Sequence, residues 1–414
     1  MIEAPPTPPD SAASPRRRLL FINRSYWPDV EATGQLLTEL CERLAHRFDV
    51  TVMCGWPMHS MSADDMANAR DRERAGVRIR RIWHTRFNKR SFWGRICNML
   101  TFAVSASLAA MFGRRPDTVI VETDPPLLCL LGRVLQWARR TRLVCYLQDI
   151  YPDVAVALDK LRDGWLVRLL DRLFYGVYRR ADAVVVLSRD MRQHLEAKGI
   201  DPAKLHCIPN WMDVSAVVPV KVDNPLRKLQ GWQDRFVVMY SGNLGMSQPW
   251  GMLLEAMASL QSETQIQFAL IGGGAAETFL REQIAQRRLA NVAMLPYQPK
   301  SELSISLSAA DVHLVFLDRR IAHCLMPSKI YGVLASGTAA LVVAPPHSEL
   351  AELVISGDAG THVAEESAAA LAAAIRQIAQ QPDRVRHWGL QARILAEREF
   401  DIQRAVDQFL TVLA

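Results

Sequence analysis

The chain has 414 residues, 50% of them hydrophobic and 22% charged, which is ample for burial and more than one core comfortably holds, so two domains are expected. Seven cysteines, an odd number without a C-x-x-C pair, argue against a disulfide framework and suit a reducing cytoplasm. The formal charge of +6 is uneven: residues 16–215 carry 32 Lys/Arg against 22 Asp/Glu, while residues 216–414 carry 17 against 19. The basic half is therefore expected to meet something anionic, whether lipid headgroups, a phosphate-bearing substrate or nucleic acid.

Residues 1–15, MIEAPPTPPDSAASP, are rich in proline and alanine and read as a disordered tail; no basic region followed by an apolar run marks a signal peptide. RLLFIN (18–23) reads as the first strand, and NRSYWPDVEATG follows it into a helical pattern at 34–46. Thr33 and Gly34 stand where that helix begins. Their loop either faces a reacting sugar or an acceptor phosphate, or is an ordinary helix start capped by Thr33. Strand patterns recur at FDVTVMCGW (48–56) and VRIRRIW (77–83).

From Ile96 to Phe112 the chain is apolar apart from Asn98, Thr101, Ser105 and Ser107, with basic groups on both flanks. That run is short and polar for a bilayer span. It fits a helix packed on a sheet, or an interfacial helix anchored by Phe92 and Trp93. A second basic helical pattern at 158–180 mixes Trp, Leu and Phe with five arginines. Together the two would let the first half sit on an anionic membrane without spanning it.

TVIVET (118–123) and RLVCYLQD (142–149) are further strands, and the latter ends in Gln148 and Asp149. A carboxylate at a strand's carboxyl end could orient a hydroxyl or stabilise positive charge developing on a sugar. The plainer alternative is a loop carboxylate bonded to backbone. Asp153, after Pro152, looks more like a turn residue. AVVVLS (183–188), LHCIP (205–209) and PNWMD (209–213) close the half, with Asn210 and Asp213 shaping a hinge and Trp211 packing.

The polar stretch 213–235 reads as a linker. Strands then follow at FVVMY (236–240), IQFALIG (266–272), VAMLPY (292–297), VHLVFL (312–317) and AALVVA (339–344), with helical patterns at 250–260, 276–288 and 302–309. Strands alternating with helices in both halves give two doubly wound parallel sheets, whose ligands bind beyond the strands' carboxyl ends. SGNLG follows the first of these strands. Gly242 and Gly245 either make a tight turn or let N–H groups cup anionic oxygens. Gly272, Gly273 and Gly274 suit close approach of a nucleotide or of the opposite domain, or a flexible turn, and Tyr297 either lines a base pocket or belongs to a surface loop.

Asp318, Arg319 and Arg320 lead to MPSKIYGVLASG (326–337). There Lys329 is either a point charge for a diphosphate or an ordinary solvated charge, Arg319 and Arg320 either grip phosphate oxygens or are solvated, and Ser328 is a helix cap or phosphate contact. The helical run at 384–410 could return to brace the first domain. No G-x-G-x-x-G opens a helix and no G-x-x-x-x-G-K-[ST] occurs, which argues against a dinucleotide fold of the usual kind and against a P-loop ATPase. The basic residues accompany apolar helices, not aromatic-studded strands, so nucleic acid is the weakest of the anionic partners.

In order, SYWPDVEATG, LQDIYPD, IPNW, YSGNLG, IGGG and MPSKIYGVLASG make the chain resemble the family 4 glycosyltransferases of the two-domain GT-B fold, nearest the colanic-acid and exopolysaccharide WcaI-type branch. The resemblance runs from about residue 18 to the end. It implies two Rossmann-like α/β domains facing an interdomain cleft. Residues 16–212 would take the acceptor, 213–235 link, 236–383 bind the donor, and 384–414 form terminal helices.

It also implies retaining transfer from a UDP- or GDP-sugar to a polyprenyl-diphosphate-linked glycan at the cytoplasmic face of the inner membrane, without a metal or other cofactor. Asp149 and Lys329 are the expected catalytic pair. Gly34, Gly242, Asn243, Gly245, Gly272, Gly273, Tyr297, Arg319, Arg320 and Ser328 are the expected donor-binding residues. Three departures stand out. Gln148 replaces a histidine, Cys324 and Gly332 fall where the wider family has two glutamates, and Met246–Gln248 replace a basic residue after GNLG. A nucleotide-sugar epimerase or hydrolase, or a noncatalytic partner in a polysaccharide assembly, are the alternatives.

Overall fold

The computed structural model describes residues 16–29, 31–57, 72–87, 92–161 and 164–414; the expected tail lies outside them. The first sheet holds β1 (Arg18–Ile22), β2 (Asp49–Cys54), β3 (Glu73–Arg74), β4 (Val77–Arg81), β5 (Thr118–Val121), β6 (Arg142–Tyr146), β7 (Ala183–Val186) and β8 (Leu205–Cys207). Its order is β3-β4-β2-β1-β5-β6-β7-β8, parallel except for the β3–β4 pair. The second holds β9 (Phe236–Ser241), β10 (Ile266–Ile271), β11 (Val292–Leu295), β12 (Val312–Phe316), β13 (Ala339–Val343) and β14 (Gly360–Val363), in the order β11-β10-β9-β12-β13-β14 and parallel throughout. Helices cover both faces, so the central strands are buried on both sides and read as unbroken Val/Leu/Ile runs. This is the expected pair of Rossmann-like domains.

Register decides which loops meet. Ile22 stands beside Val121 and Val121 beside Cys145, so the segments after β1, β5 and β6 emerge together. In the second sheet Ser241 pairs with Ile271 and Ile271 with Leu295, which brings Gly242, Gly272 and Pro296 out side by side.

Several helix boundaries differ from the sequence reading. The helix after β1 spans Ala32–Leu44 with Glu31 at its N-cap, so Thr33 lies inside the first turn and does not cap it. The 158–180 run is not one helix: a short helix, Asp153–Ala157, precedes Trp165–Arg180, and Asp159 between them takes a left-handed φ of 56°. The linker is not bare loop, since Asn224 caps a helix over Pro225–Gln230. The run at 384–410 divides into Pro382–Glu399 and Ile402–Leu413, because the Asp401 carboxylate accepts from the Gln403 N–H and starts a second helix.

That last helix does cross back. It packs on Ala32–Leu44, Phe409 meets Tyr146 edge-on at 5.1 Å, and Arg17 Nη1 donates to the Ala414 carbonyl at 2.6 Å. Beside it, the hinge residue Met212 donates its N–H to the Phe400 carbonyl at 3.0 Å.

Candidate active site

The second domain builds its strand-end site largely from bare backbone. Gly242, Gly272 and Gly274 take φ of 125°, 143° and 156°, values that L side chains resist. A Cβ at Gly272 would collide with the Gly242 carbonyl, and one at Gly274 would lie 2.5 Å from Asn243 Oδ1. The triple glycine is therefore required by close packing of two loops of the same domain, a cause the sequence reading did not name. A Cβ at Gly273 would meet the Tyr297 ring at 3.3 Å and Glu277 Oε2 at 3.4 Å, so an aromatic face and a carboxylate border the same spot. Gly245 closes the turn, its carbonyl accepting from Trp250 Nε1 at 2.7 Å.

Lys329 opens the helix Lys329–Ala335 and reaches into this wall. Its Cε and Nζ lie 3.8 Å from where a Gly242 Cβ would be. The Nζ stands 3.3 Å from the centroid of the Tyr240 ring. Although the residue as a whole is half-buried, the Nζ is buried and has no hydrogen-bond partner among the described residues. Burial pushes its pKa down to about 7. A cation–π contact offsets only about 2 kcal/mol of such desolvation. The amine is thus poised to take an anion. Ser328 occupies the N-cap position, yet its hydroxyl makes no capping hydrogen bond.

Across the cleft, Asp149 forms an antiparallel bridge with Leu325, and the Ile150 N–H donates to the Cys324 carbonyl at 2.9 Å. The loop that carries Lys329 therefore touches the first domain at Asp149. Asp149 is half-buried; burial and the neighbouring Asp124 raise its carboxyl to about 6, against a smaller pull from Lys160. Its N–H donates to Thr123 Oγ1 at 3.3 Å. Asp153 is tied elsewhere, to His194 Nε2 at 3.0 Å and to the Tyr175 hydroxyl at 2.9 Å.

The remaining candidates separate. Gly34 abuts Ser25, where a side chain would strike the serine hydroxyl. Arg320 is engaged by Asp318 at 2.7 Å and, across the domains, by Asp159 at 3.0 Å. Arg319 is exposed and lines an interdomain cavity of about 330 Å³ with Asp190, His194 and His323; Lys329, Gly242 and Asp149 do not line it. Among the described residues no group of three His, Cys, Asp or Glu side chains is arranged to hold a metal.

Residues 32–211 match the family described as "Glycosyl transferase 4-like domain", and residues 224–394 match "Glycosyl transferases group 1". The chain is 30% identical over 269 residues to the probable glycosyltransferase WbjE of Pseudomonas aeruginosa, covering 64% of this chain and 67% of that one. The chain is a GT-B glycosyltransferase. It is also 29% identical over 408 residues to the putative colanic acid biosynthesis glycosyl transferase WcaI of Escherichia coli (strain K12), covering 95% and 98% of the two chains. Its fold matches Anabaena HepE in complex with UDP-glucose (TM-score 0.72, 17% identity, 96% and 99% covered) and sucrose-phosphate synthase from Thermosynechococcus elongatus (0.75, 17%, 96% and 98%).

The structure gives a reason for one departure of this glycosyltransferase from the wider pattern. A Cβ at Gly332 would lie 3.1 Å from Met212 Cε and 3.4 Å from Leu307 Cδ1, so packing against the hinge leaves little room for a glutamate there. Sequence reasoning also missed a carboxyl. Glu122, directly after β5, is 1% exposed, and neither of its oxygens has a hydrogen-bond partner among the described residues. Burial, then Asp124, raises its pKa well above the ordinary range, opposed by the adjacent Gln148 amide. The available signal was a glutamate closing the apolar run TVIV.

Proposed function

We propose that this glycosyltransferase moves a hexose, with retention of anomeric configuration, from a UDP- or GDP-sugar to a hydroxyl of a polyprenyl-diphosphate-linked saccharide in exopolysaccharide or cell-surface glycan synthesis. The observation that carries the reading is the partnerless, buried Lys329 Nζ set beside the glycine wall of Gly242 and Gly272. A diphosphate laid there would receive one cation and could lie close against a side-chain-free backbone, the Gly242 and Gly272 N–H groups being held by the Ile271 and Leu295 carbonyls.

The chemistry divides between the domains. As the sugar–phosphate bond lengthens, Lys329 takes up the negative charge growing on the leaving diphosphate. Asp149 orients the acceptor hydroxyl or supports positive charge on the sugar, and no covalent role is assigned to it. Tyr297 and the Gly273 backbone border the base, and Asn243, Gly245 and Ser328 complete the phosphate-side loops. Gly34, expected on a loop, lies instead in the first turn of the helix Ala32–Leu44, packed on Ser25. Domain contact at Asp149–Leu325 keeps water from the donor.

The first domain's surface supports the reading of a lipid-borne acceptor. The helices Phe92–Phe112, Leu128–Arg139 and Trp165–Arg180 lie side by side. Leu100, Val104, Leu108 and Phe112 form one exposed stripe at four-residue spacing, and Trp137 and Trp165 are exposed on the neighbouring helices. The segment Trp93–Phe112 is long and apolar enough to cross a bilayer. However, Phe102, Ala106 and Ala110 are buried in the domain core, which favours a helix lying in the interface. Arg95, Arg114, Arg133 and Arg168 around the stripe suit an anionic inner leaflet.

The test is a panel of UDP- and GDP-sugars offered with lipid-linked acceptors, followed by product mass and linkage analysis. Transfer with retention to a lipid-linked acceptor is expected. Donor consumption without acceptor would mark a hydrolase, a new sugar nucleotide an epimerase, and donor affinity without turnover a noncatalytic partner.

A further inference from the structure

Ten buried side-chain polar atoms lack a partner among the described residues, and seven belong to Asn23, Arg24, Ser25, Tyr26, Glu122 and Gln148. These residues follow β1, β5 and β6, whose ends lie together. Buried polar atoms are usually satisfied, so this concentration needs a physical account. Its centre is the loop Glu122–Asp124, whose three residues reach in different directions.

Asp124 receives Arg24 Nε at 3.2 Å and Nη2 at 2.8 Å, while the same Nη2 also reaches Glu31 at 2.8 Å. That guanidinium is thus shared by two carboxylates already. Thr123 Oγ1 accepts the Asp149 N–H. Glu122 faces Gln148, and both are buried. Gln148 Oε1 in turn accepts from Asn210 Nδ2 at 3.1 Å, and Asn210 Oδ1 accepts from the Tyr146 hydroxyl at 3.2 Å. Glu122 therefore stands at the open end of a buried polar chain that runs from Gln148 to Asn210, at the start of the crossing to the second domain.

An ionised carboxylate with no paired cation is too costly in such a place, whereas a carboxylic acid carries a donor and an acceptor. In that form a carboxyl oxygen of Glu122 can accept from the Gln148 Nε2–H, which is itself unpartnered among the described residues. Gln148 is then held from both ends, and the peptide it shares with Asp149 is held with it.

We propose that Glu122 is a positioning residue for Asp149, acting as a neutral acid that clamps Gln148 against Asn210. The proposal rests on the reading of Asp149 as the reactive-site carboxylate. It treats Glu122 as neither charge nor filler, and each of those alternatives behaves differently on substitution.

The experiment is steady-state transfer by the full-length protein, with thermal unfolding recorded for each variant. Glu122→Gln keeps a neutral hydrogen-bonding group and is expected to keep kcat within threefold of wild type. Glu122→Leu is expected to lose tenfold or more in kcat, with donor KM within twofold. Gln148→Met breaks the same chain without touching Glu122 and should lower kcat by a similar factor, so the proposal stays testable should the leucine variant not fold. The double variant should be no slower than the worse single one.

Wild-type kcat in Glu122→Leu with only a lowered Tm would reduce Glu122 to a core residue. Equal losses in Glu122→Gln and Glu122→Leu would mean that the charge itself acts. Asp149→Asn in parallel separates the two readings: normal transfer by that variant overturns the role of Asp149 and this proposal with it. Impaired transfer by Asp149→Asn beside a normal Glu122→Leu overturns this proposal alone.

Discussion

The strand ends of the two domains face one cleft and are made from opposite materials. In the second, Gly242 and Gly272–Gly274 strip side chains away around a single buried amine. In the first, Arg24 is taken up by Asp124 and Glu31, and Asp124 in turn bears on the carboxyls of Glu122 and Asp149. A place for an anion can be made from one cation set against backbone without side chains, and the glycines are what make that backbone reachable. A place with more carboxyls than cations must instead keep some of them protonated, so its chemistry is set by where the protons sit.

Removing the amine should produce the largest effect. Lys329→Ala is expected to lower kcat/KM by about 2–4 kcal/mol of transition-state stabilisation, without loss of Tm, in steady-state transfer. A wild-type value would erase the contrast between the domains. Next comes the wall. Gly272→Ala forces an alanine into φ 143° and against the Gly242 carbonyl, and should cost about 1–3 kcal/mol in urea unfolding together with nucleotide affinity. Gly251→Ala, in a helix with open space around it, should be neutral or slightly stabilising.

The proton-controlled side is tested by pH. Asp149 ionises as pH rises through about 6, and Lys329 loses its proton as pH rises through about 7. kcat/KM should therefore climb through the first value and fall above the second. Asp149→Asn should slow transfer about 10–100-fold, the scale of a lost positioned acid or base, and abolish the acidic limb. A bound diphosphate stabilises the charged amine, so the alkaline limb of kcat should lie above that of kcat/KM.

A smaller effect concerns stability. The folded state binds the Lys329 proton less tightly than the unfolded one, so the penalty is complete below pH 7 and fades as pH rises toward 10.5. Lys329→Met should thus gain on the order of 1–2 kcal/mol at pH 6 and less at pH 9, measured by urea unfolding. The smallest effect lies outside the cleft. Leu108→Glu should weaken flotation with anionic vesicles at low salt by about tenfold, the scale of one lost apolar contact at an interface, and leave donor turnover with a soluble acceptor unchanged.

Most strands were legible because a parallel strand buried on both faces is a short, nearly unbroken run of branched residues. β3 escaped because it is two residues long, and β14 because Gly360–Val363 alternates with Thr and His. The division at Asp401 was written in its capping carboxylate but masked by apolar residues on both sides. The glycine wall and Lys329 were legible because glycine and a helix-start lysine are locally constrained. Arg320 was misleading, since its partner Asp159 lies far off in sequence. The Asp149–Leu325 contact and the Glu122–Gln148–Asn210 chain are long-range, and no local pattern marks them.

The polypeptide passes between the lobes twice, once through the segment after β8 and once near Phe400, and the passages are stitched by the Met212–Phe400 hydrogen bond. Two neighbouring pivots leave a door one way to swing. Opening to release product and shutting on fresh donor should then retrace a single arc, returning the amine and the acid to the same standoff each cycle. Shortening the chain before its final helix would unpin one pivot and let that standoff drift.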